Sequence, residues 1–428
     1  TDFSAKELAE DVFINKVGTF GVASAGHWWG RAGAAVMRLG HYFVGFEDAV
    51  WALLYSDDGK LTGRTAWPER GLLLFFLVLV LVKLPLSWHK VRGRRDVEWI
   101  GYLLDVGRFE MGVTASRAAW AVRWLTDRSA EGNVRLGELR EGLGRFQFLA
   151  GPMEYLRPFL GPLYAWAAIG PRYARPKLPV MIVLITKYLA EELKGGHTMP
   201  CESPAQYFGE AFGLDAKAEG DKIVIGGWKV LKSEDTREAP WFSITLTRSS
   251  APWAYARGDP FRTIAALELL GSLVSLVLLV PVEERRGDTS ALITMTCSTD
   301  NQGTSFLLDK LSTTRYPLGV VLMELAHQMK LRRMLLRARW VPRLQNQEAD
   351  DLTNYEFRHF DPKKRIQVDL QDLNFKIMNQ LFEVGDDYIK QLEAVRESEK
   401  RKAQTKTGGE QNRKAPKRDR SLRESDPW

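Results

Sequence analysis

Phe212-Gly-Leu-Asp-Ala-Lys217, Lys222-Ile-Val-Ile-Gly-Gly-Trp-Lys-Val230 and Trp241-Phe-Ser-Ile-Thr-Leu-Thr-Arg248 are three short runs dominated by apolar residues, separated by charged and turn-forming residues. Runs of this length, rich in β-branched and aromatic side chains, read as strands. A long apolar stretch beginning at Phe261 has the length of a helix, and Ala291 to Ser298 follows as a fourth strand, with further helices beyond. Three strands, a helix, a strand and more helices predict a mixed α/β layer.

Working outward, residues 10–104 alternate strand-like stretches (Val12 to Lys16, Val50 to Tyr55, Val97 to Leu103) with helical ones (His27 to Leu39, Arg70 to Val82). Thr114 to Ile169 carries Leu and Trp at helical spacing, broken at Gly151-Pro152 and Gly161-Pro162. Pro176 to Gln206 reads as a connector with one apolar helix ending at Gly195-Gly196. The tail from Arg396 is rich in Lys, Arg, Glu and Gln and nearly free of large apolar residues, the composition of a disordered arm.

The composition is that of an ordinary globular chain: 45% hydrophobic and 26% charged residues over 428, enough for two or three domains. The net charge of +7 is concentrated toward the C-terminus and says little about partners. Two cysteines cannot form a disulfide framework, which favours an intracellular setting. Leu72 to Val82 is about half the length a bilayer requires. Ile264 to Val282 is longer but contains Glu268, whose carboxylate would be costly in lipid, so a buried core helix is the better expectation.

Four acids in the second half attract attention together. Asp215 ends a strand, Glu268 sits on an otherwise apolar helix, and Asp300 closes the strand Ile293-Thr-Met-Thr-Cys-Ser-Thr-Asp300. Asp350, in Asn346-Gln-Glu-Ala-Asp-Asp-Leu352, opens a helix after Trp340-Val341-Pro342. Each acid alone reads as a cap, a turn or a solvated side chain. Glu268 resists that reading, because a lone carboxylate among apolar residues is costly unless paired or metal-bound. Strand-end acids plus one helix acid can converge on a two-metal site.

A second carboxylate pair lies in Trp51-Ala-Leu-Leu-Tyr-Ser-Asp-Asp-Gly59, at the end of an apolar strand. Taken alone, Asp-Asp-Gly is a common surface turn. Its surroundings change the balance: Tyr55-Ser56-Asp57-Asp58 resembles the Tyr-X-Asp-Asp signature of reverse transcriptases. Gly18-Thr19-Phe20-Gly21-Val22-Ala23-Ser24-Ala25 upstream is similar to that family's Phe-Gly-X-X-X-Ala segment. Pro85-Leu86-Ser87-Trp88-His89-Lys90 is similar to its lysine-bearing motif, and Val97 to Leu104 to its primer-gripping hairpin. The acids Asp215, Glu268, Asp300 and Asp350 resemble the Asp-Glu-Asp-Asp set of ribonuclease H, with Asp351 able to exchange roles with Asp350.

The resemblance to retroelement Pol polyproteins spans roughly Val12 to Asn354. It implies a reverse transcriptase palm over residues 1–105, a helical thumb and connection over 106–205 and a ribonuclease H-like domain over 206–356. A helical extension over 357–395 and the basic tail over 396–428 complete the order. It implies Asp57 and Asp58 as metal carboxylates, Lys90 as the proton donor to pyrophosphate, and Phe20, Gly21 and Gly101 as substrate contacts. Two Mg²⁺ or Mn²⁺ ions per active site, an RNA template, an RNA–DNA hybrid, deoxynucleoside triphosphates and other polyprotein segments are its implied cofactors and partners, with no membrane. The palm's third carboxylate, expected a few tens of residues before Phe20, has no counterpart here, because Asp2 and Asp11 lie too close. The polymerase half is therefore expected to be N-terminally incomplete. A decayed element copy that at most binds nucleic acid is the alternative expectation, and a polytopic membrane protein a remote third.

Overall fold

The structure, a computed structural model, describes residues 23–45, 50–63, 68–233, 235–256, 258–282 and 292–406. The expected strand Val12 to Lys16, the Phe20-Gly21 contacts, and the tail beyond 406 lie outside these residues. The chain divides into two units, Thr1–Gly101 and Tyr102–Trp428.

The first unit contains helix α1 (Ala23–Val44), strands β1 (Val50–Tyr55) and β2 (Asp58–Gly63), helix α2 (Pro68–Leu81) and strand β3 (Asp96–Trp99). β1 and β2 form an antiparallel hairpin in register from Val50↔Gly63 to Tyr55↔Asp58. The period of two is plain on β1: Trp51, Leu53 and Tyr55 are exposed, while Val50 is buried and Ala52 packs inward. Val44, Val50, Phe75 and Leu79 form the small core, with α1 and α2 in close contact because Gly40 lies against the Phe75 ring. A Cβ at residue 40 would fall 2.5 Å from that ring.

In the second unit, β4 (Tyr102–Asp105), β5 (Glu110–Val113) and β6 (Thr198–Pro200) pair antiparallel in that order. Between β5 and β6 run helices α3 (Ala115–Glu131), α4 (Leu136–Leu149), α5 (Arg157–Ala167) and α6 (Val180–Gly195). α3 ends at Gly132, whose φ of +64° suits a left-handed cap. Next come β7 (Glu202–Glu219), β8 (Lys222–Lys229), β9 (Trp241–Leu246), the short α7 (Pro252–Tyr255), α8 (Ile264–Leu279) and β10 (Leu292–Thr299). They are followed by α9 (Gln302–Lys310), α10 (Leu318–Leu331), β11 (Met334–Trp340), α11 (Gln347–Thr353) and α12 (Met378–Lys406).

Five of these strands form one mixed sheet in the order β11-β10-β7-β8-β9, with β7, β8 and β9 antiparallel and β10 and β11 parallel to β7. The α/β class expected from the sequence is the class observed. Neighbouring glycines on β8 show how the sheet is covered. A Cβ on Gly227 would meet Ser275 of α8, and one on Gly226 would meet Leu352 of α11. Successive strand residues point to opposite faces, so α8 covers one face and α11 the other.

Three expectations change. β11 was not foreseen as a strand, since only helices were expected after β10. The helical region over 106–205 and the sheet share one continuous core from Val113 to Leu392, so no boundary between cores falls at 205. α12 runs through Arg396 to Lys406, so the expected tail begins inside a helix. With its lead-in from Pro260, α8 is long and apolar enough to cross a bilayer. Yet 72% of its most apolar window is buried inside the protein, as expected of a core helix. α2, at 14 residues, is shorter than a bilayer span.

Candidate metal centre

Asp215 lies on β7, the middle strand of the sheet, opposite Gly226 of β8. Glu268 projects from α8, and Asp300 follows the last residue of β10, next to β7. A strand, a helix on the sheet face and a second strand end thus converge. One carboxylate oxygen from each of the three lies within 4.8 Å of the others. At an effective dielectric near 20, two full charges at that distance repel by roughly 3 kcal/mol.

Burial sharpens the conflict. Asp215 and Glu268 are buried, and Asp300 is partly exposed. Burial first, then the nearby Asp300 and Asp350, push the Asp215 carboxyl above its ordinary value, against the Thr353 hydroxyl and Arg343. Glu268 is pushed well above the glutamate range, by burial first and then by Asp215 and Asp300. Hydrogen bonding by the Ala216 backbone and the Thr299 side chain pulls the other way, yet among the described residues its buried Oε2 has no partner.

An orphaned, buried carboxylate oxygen among two further carboxylates fits a hard divalent cation, which prefers oxygen ligands. The arrangement can hold a metal ion. Among the described residues, no other set of three such side chains converges this closely.

Neighbouring residues fix the acids. The Thr353 hydroxyl lies 2.7 Å from Asp215 Oδ2 and 2.9 Å from the Asp350 carbonyl. Asn346, buried ahead of α11, donates to the Leu214 carbonyl at 3.0 Å, tying that loop to β7 beside Asp215. The Trp340 indole donates to the Asp300 carbonyl at 3.0 Å, and Val341 N–H donates to Thr299, extending the parallel pairing to the site's edge.

Asp350 is near enough to raise the Asp215 carboxyl but stands outside the trio. Arg343 donates to its Oδ1 at 2.6 Å and Asn354 to its Oδ2 at 2.8 Å. Asp351, the alternative, is buried and accepts from Gln347 at 2.7 Å, and it too is outside the trio. Arg343, Thr353, Asn346 and Asn354 were not singled out from the sequence. The spacing of Thr353 and Asn354, three and four residues after Asp350, was the available signal, because it puts all three on one helical turn.

The first unit treats its carboxylates differently. Ser56 has a φ of +55°, and the turn is braced by Trp29, whose indole donates to Ser56 O at 2.6 Å, and by Trp99, donating to Asp58 O at 3.4 Å. Both aspartates are exposed, and among the described residues neither joins a third acid, histidine or cysteine. Lys90 is exposed in a single 3-10 turn, Trp88–Lys90, and makes no side-chain bond to Asp57 or Asp58. Gly101 follows Ile100 in a turn where both have left-handed backbone, φ +85° and +44°. Compared with protein-family models and with curated proteins, the chain has no match in either.

Proposed function

We propose that the second unit hydrolyses the RNA strand of RNA–DNA hybrids, using Mg²⁺ or Mn²⁺ held by Asp215, Glu268 and Asp300. The observation that carries this reading is the convergence of Glu268, a buried acid with one unpartnered oxygen, with two other carboxylates. The acids also fall on the elements expected from the ribonuclease H resemblance: strand, helix, strand end and helix start.

A bound divalent cation would supply Lewis acidity at the phosphodiester and an acidified water for attack. The chain's own groups do the holding. Asp215 is fixed by Thr353, Glu268 by Ala216 and Thr299, and the backbone at Asp300 by Trp340. Such contacts hold the acids in place before a ligand arrives, the kind of preorganisation that favours catalysis. Asp300, partly exposed beside the exposed Trp340, is the acid of the trio most accessible to a substrate. A hybrid with a labelled RNA strand, incubated with the metal-loaded full chain, should be cut in that strand, and Asp300→Asn should abolish cutting. Absence of cleavage across a broad range of Mg²⁺, Mn²⁺ and salt would overturn the reading.

A second reading applies to the first unit: a reverse transcriptase palm by descent, without polymerase activity in this chain. Its support is the exposed Asp57-Asp58 pair with no third acid beside it among the described residues. Primer extension on an RNA template with deoxynucleoside triphosphates should be absent, and extension by this chain alone would refute it.

A further inference from the structure

Asp350 belongs to the acid cluster by charge but is held out of it by contact. Its Oδ2 accepts from Asn354, whose own Oδ1 accepts from the Lys217 ammonium at 2.9 Å, so that side of the carboxylate is fixed on two elements. Among the described residues, its Oδ1 accepts only from Arg343. The two partners differ in how easily they can leave. Asn354 is part of the turn that closes α11, whereas the Arg343 side chain is 72% exposed and that of Asp350 only 17%. Arg343 starts the 3-10 turn Arg343–Gln345 and can swing into water while losing little packing.

The guanidinium also feels two of the three clustered acids. Its hydrogen bond to Asp350 and then the Asp350 charge strengthen its hold on its proton, with further contributions from Asp215 and Asp300. The geometry points to Arg343 as a built-in counter-ion that occupies Asp350 and must be displaced before a second divalent cation can be held. This inference rests on the proposed metal-dependent hydrolysis. With one divalent cation at the trio, the four carboxylates and Arg343 still sum to one negative charge, and Arg343 already holds the Asp350 side of it. A second dication then competes with the guanidinium for the same Asp350 oxygen, because both cannot face it without strong repulsion. The chain is thus set to bind one ion firmly and a second only weakly, and Arg343 is a positioning residue governing the second.

Calorimetric Mn²⁺ titration of the metal-stripped full chain tests this without relying on activity. The wild type should show one tight event and one weak event. Arg343→Ala should tighten the second about tenfold and leave the first unchanged, with Arg343→Lys falling between. Asp350→Asn should remove the second event alone. Half-maximal cleavage of a hybrid should move to lower Mg²⁺ in Arg343→Ala by a similar factor. If Arg343→Ala leaves the second event unchanged or weakens it, the counter-ion role is wrong and the metal centre stands. If the wild type binds no Mn²⁺, or binds it equally well after Asp300→Asn, the metal centre itself fails.

Discussion

Asp57 and Asp58 stand in water on a braced turn with a small core behind it, whereas Asp215, Glu268 and Asp300 meet from two strands and a helix, two of them buried. The first pair is adjacent in sequence and serves no cluster among the described residues. The second set is spread across more than eighty positions and comes within 4.8 Å. A doublet of acids on an exposed turn is solvated on all sides, so it does not concentrate charge unaided. Concentration requires tertiary convergence, and burial then makes the charge costly until a cation relieves it.

The sharpest way to break the contrast is activity. Asp215→Asn or Asp300→Asn should lower hybrid cleavage by at least about a hundredfold, while Asp57→Asn with Asp58→Asn should leave it unchanged. Loss of cleavage in that double variant would mean the exposed pair participates after all.

Stability offers the next largest effect. Phe212 and Phe242 are fully buried in the sheet core, and truncating either to Ala should cost about 3–5 kcal/mol by urea unfolding. Leu53→Ser, on the exposed face of β1, should stay within about 0.5 kcal/mol. A large loss at Leu53 would reveal a partner for that face.

Cation linkage should be intermediate. At a hundredfold excess over its dissociation constant, Mn²⁺ should stabilise the second unit by about 2.7 kcal/mol. Glu268→Gln should abolish that gain yet stabilise the metal-free protein by about 1–3 kcal/mol, since it removes a buried carboxyl with one unpartnered oxygen beside two other acids. Equal or lower stability of the variant in chelator would show that Glu268 is not strained.

The smallest effect concerns His327, which is buried and bonded to the Tyr188 hydroxyl at 2.7 Å. Burial pulls its pKa below the usual value, against Glu324 and Glu192, while Lys330 and Lys376 pull the same way as burial. The unfolded chain therefore takes up the proton first. Stability should fall as pH drops below about 6.5 and level off once the folded form is protonated too. His327→Gln should flatten the curve in pH-dependent unfolding, and an unchanged slope would place the titration elsewhere.

Much of this was legible in the sequence where local pattern and tertiary role coincide. β1, α6, β8 and α8 match their apolar runs, and Glu268 announced itself as the one acid in an apolar helix. β11 did not. Lys330-Leu-Arg-Arg-Met-Leu-Leu-Arg-Ala-Arg339 is built from good helix formers, so it reads as a continuation of α10. The break comes at Arg333, with φ +48° and neither Gly nor Pro to mark it, and the strand exists because β10 offers a parallel edge. The Arg343–Asp350 bond was hidden for a similar reason: an arginine seven residues from an acid has no fixed relation to it until Pro342 and the following turn place it there.

Gly226 carries a consequence for judging the metal centre from its acids alone. A single methyl group there would lie 2.6 Å from Leu352 Cβ and 3.4 Å from Thr353 N, lifting α11 off the sheet and pulling Thr353 away from Asp215. Every acid would still be present, and a roll-call of the acidic residues would pass the site as intact. The defect would be written in a position that has no side chain at all.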